Sequence, residues 1–152
     1  MSTTAKGAVL ALVIAVPAFL LAPMLFPPAP GPGPSSTQMP FFILLTVFDS
    51  LLLGIGIAFV VFGWPLVRRV APGSRAIAIA MFIGVAWLTI SWYPHIGLHT
   101  SAFGSTFDGL LVIDYLFHVP LYIVGLLLIW GLASYLQRVA EDPAAAPPAR
   151  TT

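Results

Sequence analysis

Five side chains that can ionise or bind a metal are gathered in an otherwise apolar sequence. They are Asp49, His95, His99, Asp114 and His118. A charged side chain inside a membrane needs a partner, and such residues normally face the interior of a helix bundle. Imidazole and carboxylate groups are ligands that suit Zn²⁺ or Cu²⁺. We therefore take His95, His99, Asp114 and His118 as candidate metal ligands.

The spacing of these ligands places them on helical faces. His95 and His99 are four positions apart, as are Asp114 and His118, and this spacing puts both members of a pair on one face of a helix. Gly97 lies between the first two histidines and weakens a helix there. The pattern predicts a site shared by two neighbouring segments.

Three further polar residues are candidates for supporting the ligands. Thr46 and Asp49 share one helical face, and Tyr122 follows His118 by one turn. With a rise of about 1.5 Å per residue, Asp49 and His118 lie at similar depths below the outer ends of their segments. We therefore expect Asp49 and His118 to approach one another, with Asp49 binding the metal or orienting a histidine.

Other chemistries remain open at this point. Haem is the weaker option: one axial pair, such as His95 or His99 with His118, is available, but the multi-histidine arrangement of two-haem proteins is absent. The same polar residues could form a structural network in an accessory or assembly subunit of a membrane complex. Asp49 and His118 could also form a proton relay.

Enzymatic function is not favoured by the known motifs. The sequence contains no Gly-rich phosphate loop, no His-Glu-x-x-His and no Gly-x-Ser-x-Gly. No cysteine is present, which excludes thiolate ligands and thiol catalysis. No catalytic residue is therefore assigned.

The composition indicates the elements that must position the site. The 152 residues are 59% hydrophobic and 7% charged, and the mean hydropathy is +1.02, as expected for an all-α integral membrane protein. A membrane-spanning helix needs about 20 apolar residues. Four segments meet this length and predict a four-helix bundle, a single domain over residues 1–137. The predicted spans are residues 7–26, 40–67, 75–92 and 110–135, with loops at 27–39 and 93–109 and a disordered tail at 138–152.

The basic residues predict the orientation of the bundle, because they favour the cytoplasmic side of a membrane. All six lie before the first span, between the second and third, or after the fourth. They are Lys6, Arg68, Arg69, Arg75, Arg138 and Arg150. This pattern puts both termini in the cytoplasm and the histidines near the outer side of the cell membrane. An alternative is that the first span is a cleaved signal peptide, although its length argues against this.

The expected partners are the lipid bilayer and a second membrane protein or further copies of the chain. Nucleic acid is not expected, because the outer loops combine no basic and aromatic residues. Ala76, Ala80 and Gly84 form a small-residue stripe that predicts helix packing. Ser105 and Asp108 match a helix-capping pair ahead of the fourth span.

Overall fold

The computed structural model describes residues 1–30, 33–71, 73–102 and 110–141. All regular secondary structure within these ranges is helical. Four helices are long and apolar enough to cross a membrane, which confirms the helical class and the number of candidate spans. The helices in chain order are α1 (Thr3–Leu25), α2 (Met39–Phe62), α3 (Trp64–Val70), α4 (Arg75–Ser101) and α5 (Leu110–Glu141). The predicted capping pair, Ser105 and Asp108, lies outside the described residues.

Helix α4 is longer than the sequence predicted, because it continues beyond Trp92 to Ser101. Pro94 and Gly97 lie inside this helix and do not end it. Proline is tolerated in membrane helices where neighbouring groups satisfy the carbonyl that it leaves free. The first nine residues of the predicted histidine loop are therefore helical, and His95 and His99 lie about one turn apart on the same helix.

The other boundaries also differ in detail. The predicted second span is divided at Gly63, where α2 ends and the short helix α3 begins, with Pro65 in its first turn. Helix α5 continues to Glu141, so the first residues of the predicted tail are helical.

Small residues bring α1 and α2 close together. The buried residues of α1 are all alanines: Ala11, Ala15, Ala18 and Ala22. Gly54 of α2 lies so near Ala11 that a Cβ atom at this position would collide with the Ala11 carbonyl oxygen. Such close approach of helix backbones is typical of membrane helix packing, where small residues form the interface.

The predicted small-residue stripe of α4 is only partly correct. Gly84 is buried, whereas Ala76 and Ala80 are exposed. The buried face of α4 instead includes Ala78 and Met81. Small residues occur on more than one side of α4, and the face that packs is set by where the neighbouring helices lie.

The two ends of the molecule differ in charge. At one end, the Arg138 side chain donates a hydrogen bond to the Val70 carbonyl, and the first turns of α1 lie beside Phe62. At the other end, the backbone N–H of Ala29 donates to the Ser101 carbonyl at 2.7 Å. The described basic side chains therefore belong to the first end, and the histidines of α4 lie near the second.

Candidate metal centre

Two helices bring three ligand atoms together near the end that lacks the described basic side chains. The unbroken helix α4 places the His95 and His99 rings with centroids 4.7 Å apart. Asp114 of α5 lies opposite, with Oδ1 2.8 Å from His99 Nε2 and 4.0 Å from His95 Nε2. The three ligand atoms all lie within 4.8 Å of one another. Ligands of a tetrahedral Zn²⁺ are separated by about 3.3 Å, so small side-chain movements would complete this geometry.

Two of these atoms are buried without a hydrogen-bond partner among the described residues: His95 Nε2 and Asp114 Oδ1. The close contact of His99 with Asp114 has the distance of an ion pair but lacks hydrogen-bond geometry. Buried polar atoms in native proteins are nearly always paired, so an unpaired one calls for an ion or a water molecule. Both atoms can bind a metal ion, and they lie 4.0 Å apart.

Aromatic residues hold the His95 ring. Phe117 of α5 stacks on it with centroids 5.0 Å apart and an interplanar angle of 17°, and Trp92 contacts it edge-on at 5.6 Å. The side chain of His95 is only 5% exposed. Phe117 is not among the site residues that the sequence predicts, and its one signal in the sequence is its position three residues after Asp114.

Little space is left beside His95. The cavity that borders this ring has a volume of about 10 Å³, and its walls include Trp87 and Phe117. Cofactor sites usually enclose about 300–1,000 Å³. This cavity, which His99 and Asp114 do not line, is too small for a haem.

His118 lies beside the three converging ligands. Its Nδ1 is 2.8 Å from the Asp114 carbonyl oxygen and 3.8 Å from Asp114 Oδ1. Because a carbonyl oxygen can only accept, Nδ1 is the donor of this hydrogen bond, and the lone pair of the neutral ring is on Nε2. The ring of His118 is 4.8 Å from that of His95. His118 thus hydrogen-bonds the backbone at Asp114 and is not one of the three ligand atoms that converge.

Asp49 and Thr46 lie elsewhere, in a cavity that they share with Gly97 and Thr100 of α4. No hydrogen bond or ion pair of the described residues joins Asp49 to His118, so the expected approach is not formed. Helix α4 stands between them, because α1 and α2 pack on the side that carries Gly97, and α5 packs on the side that carries His95.

Tyr122 is also separate from the cluster. Its side chain is 67% exposed, and none of the described hydrogen bonds includes it. The face of α5 that contacts α4 includes Phe117 and Val124, as shown by the stacking on His95 and the contact of Val124 with Gly84. Tyr122 points to one side of this contact.

The arrangement offers two imidazole nitrogens, one carboxylate oxygen and a nearby third imidazole. Such a set can bind a divalent transition ion with at least one position left for water or another ligand. Comparison with protein-family models, curated proteins and solved structures gives no match, so the geometry of the site alone supports a function.

Proposed function

We propose that this chain is a multi-pass membrane protein that binds a divalent transition metal, Zn²⁺ or Cu²⁺, through His95, His99 and Asp114. The observation that carries the proposal is the convergence of three ligand atoms within 4.8 Å. Two of them, His95 Nε2 and Asp114 Oδ1, are buried without a hydrogen-bond partner among the described residues, which is costly unless a ligand satisfies them. One carboxylate also partly neutralises the charge of a divalent ion.

The choice of metal follows from the donor atoms. Two nitrogens and one oxygen are borderline ligands that suit Zn²⁺ and Cu²⁺ better than Mg²⁺ or Ca²⁺, which prefer oxygen alone. A water molecule takes the fourth position of the proposed site. His118 acts as a positioning residue, because its Nδ1 hydrogen-bonds the backbone of the ligand Asp114.

The proposed setting is the cytoplasmic membrane, with both termini inside the cell. Positively charged residues at one end of the bundle support this orientation. The metal centre then lies near the outer surface, so that it can exchange ions with the exterior.

The first test is metal titration of the protein in mild detergent. Wild type should bind about one Zn²⁺ per chain. The His99→Gln variant should lower the Zn²⁺ affinity more than about 100-fold, because it removes one of the three ligands. His118→Gln is the matched variant on α5. It should lower the affinity by about 10-fold, since it changes only a supporting contact.

Acid should weaken the same binding. A metal competes with protons for imidazole nitrogens, so bound Zn²⁺ excludes protons and acidification displaces the ion. We expect the apparent Zn²⁺ affinity to fall steadily as the pH is lowered from about 8 to about 5, because histidine takes up a proton within this range. Titrations at several pH values, with a chelator as competitor, would measure this trend.

The competing role is a non-catalytic accessory subunit in which the cluster joins α4 to α5. The close His99–Asp114 contact would also occur in a purely structural network. In that case wild type and His99→Gln would bind equally little metal, and the variant would lose stability instead. That result would reject the metal proposal.

A further inference from the structure

A second polar site lies on the opposite side of α4. It is a cavity of about 120 Å³ between α1, α2 and α4. Its walls include Ala22, Phe26, Thr46, Asp49, Gly97 and Thr100. We call it the Asp49 cavity. None of the three proposed transition-metal ligands lines it.

The carboxyl group of Asp49 is the chemically important part of this wall. The residue is 2% exposed, and its Oδ1 accepts a hydrogen bond from the Ser50 backbone N–H at 2.9 Å. No cationic side chain among the described residues forms an ion pair with it. A buried carboxylate is costly unless a positive charge or several donors compensate for it, and the backbone N–H groups of Asp49 and Ser50 supply only part of this compensation.

The hydroxyl groups of the cavity wall do not supply the missing donors. Thr46 Oγ1 donates to the Phe42 carbonyl at 2.8 Å, and Thr100 Oγ1 donates to the Gly97 carbonyl at 3.0 Å. Each hydroxyl has one proton, so both oxygens have only lone pairs left for a ligand. The polar side chains of the described wall therefore act together as acceptors.

An acceptor-only wall with one negative charge is complementary to a small cation. We infer that the Asp49 cavity binds a monovalent hard cation, Na⁺, through the Asp49 carboxylate and the Thr46 and Thr100 hydroxyl oxygens. Oxygen ligands suit hard cations. A single positive charge makes this nearly fully buried site electrically neutral.

The size of the cavity agrees with this ligand. A water molecule takes about 30 Å³ of liquid volume, so about 120 Å³ holds a cation with a few waters. Phe26 lines the cavity next to Gly97. A Cβ atom added at Gly97 would lie 2.5 Å from the Phe26 ring. The absence of a side chain at Gly97 thus allows the ring to pack close to α4.

The experiment measures thermal unfolding in detergent with NaCl or choline chloride at equal ionic strength. A chelator is added to both, so that transition metals at His95 and His99 do not contribute. Binding to the native state raises the unfolding temperature in a saturable way. We expect a rise of about 2–4 °C when Na⁺ exceeds its Kd about fivefold. An unfolding temperature that is the same in both salts would overturn the proposal.

Two threonines provide a matched pair of variants. Thr46 and Thr89 both donate to the carbonyl four residues earlier at 2.8 Å, but Thr89 does not line the Asp49 cavity. Thr46→Val should raise the Na⁺ concentration at half-effect by about 10-fold, and Thr89→Val should leave it unchanged. Equal Na⁺ responses in the two variants would contradict the assignment.

Asp49→Asn removes the charge and should abolish the Na⁺ response. The threonine pair keeps the inference testable if this variant does not fold. A wild-type unfolding temperature that changes with pH and not with Na⁺ would also overturn the proposal. His99→Gln should keep the full Na⁺ response, so the outcome is independent of the transition-metal site.

Discussion

At the scale of single residues, two neighbours on α4 show the difference between a structural and a functional polar group. Tyr93 and His95 are both buried. The Tyr93 hydroxyl donates to the Ala18 carbonyl at 2.7 Å, so its polar atom is satisfied within the fold. The His95 Nε2 atom has no such partner among the described residues. Tyr93 therefore joins α4 to α1, whereas His95 is available to a ligand.

This contrast predicts the effect of Tyr93→Phe. The variant loses one buried hydrogen bond, which should reduce the free energy of unfolding by about 1 kcal/mol. Zn²⁺ affinity should stay within about twofold, because the ligands are unchanged. Tyr122→Phe is the control, since its hydroxyl lies on an exposed side chain. Unfolding in detergent would measure both, and equal stabilities of the two variants would contradict the role given to Tyr93.

At the scale of helices, close contacts depend on individual glycines. Gly54 faces the backbone of Ala11, which cannot move aside as a flexible side chain could. Gly125 of α5 is the opposite case, because a Cβ atom there would meet nothing within 4 Å. Glycine therefore fulfils a packing requirement at the first position and none at the second.

The two glycines give opposite predictions for alanine substitution. Gly54→Ala should force α1 and α2 apart and destabilise the protein by about 1–3 kcal/mol, as expected for overpacking. Gly125→Ala should be neutral or stabilising by up to about 1 kcal/mol, because alanine favours helix. Unfolding in the same detergent compares them. A Gly54→Ala protein as stable as wild type would show that the α1–α2 contact is looser than described.

The sequence predicted the long helices well and their contacts poorly. Hydropathy and length locate four apolar segments, because both are local properties of the chain. The spacing of His95 and His99 also predicted their common face. None of the described hydrogen bonds or ion pairs joins Asp49 to His118, because equal depth does not determine which helix lies between two residues. The predicted packing of Ala76 and Ala80 was wrong for a related reason, since helical periodicity defines the faces of a helix without identifying which neighbour each face contacts.

At the scale of the whole molecule, the separation of charge along the bundle is the main feature. Arg69 and Arg138 belong to the end where α1 begins and α5 finishes. The histidines of α4 lie towards the other end, where Ala29 contacts Ser101. Basic residues favour the cytoplasmic side during membrane insertion, so this separation supports the proposed orientation, in which the metal centre lies towards the cell exterior.

The absence of cysteine makes this orientation easy to test. Single cysteines can be introduced at Ser36, in the predicted outer loop, and at Gly73, beside the arginines; both positions are exposed. A membrane-impermeant maleimide should label Ser36→Cys in intact cells and Gly73→Cys only after the membrane is opened. The reverse pattern would place the metal centre on the cytoplasmic side.

Helix α4 carries both proposed sites, with His95 and His99 on one side and Gly97 and Thr100 on the other. Two ligands that share one helix obey thermodynamic reciprocity. If Na⁺ in the Asp49 cavity changes the affinity for Zn²⁺ by some factor, Zn²⁺ must change the affinity for Na⁺ by the same factor. Any coupling between the two ions can therefore be measured from either side of helix α4, as a change in Zn²⁺ affinity or as a change in Na⁺ affinity.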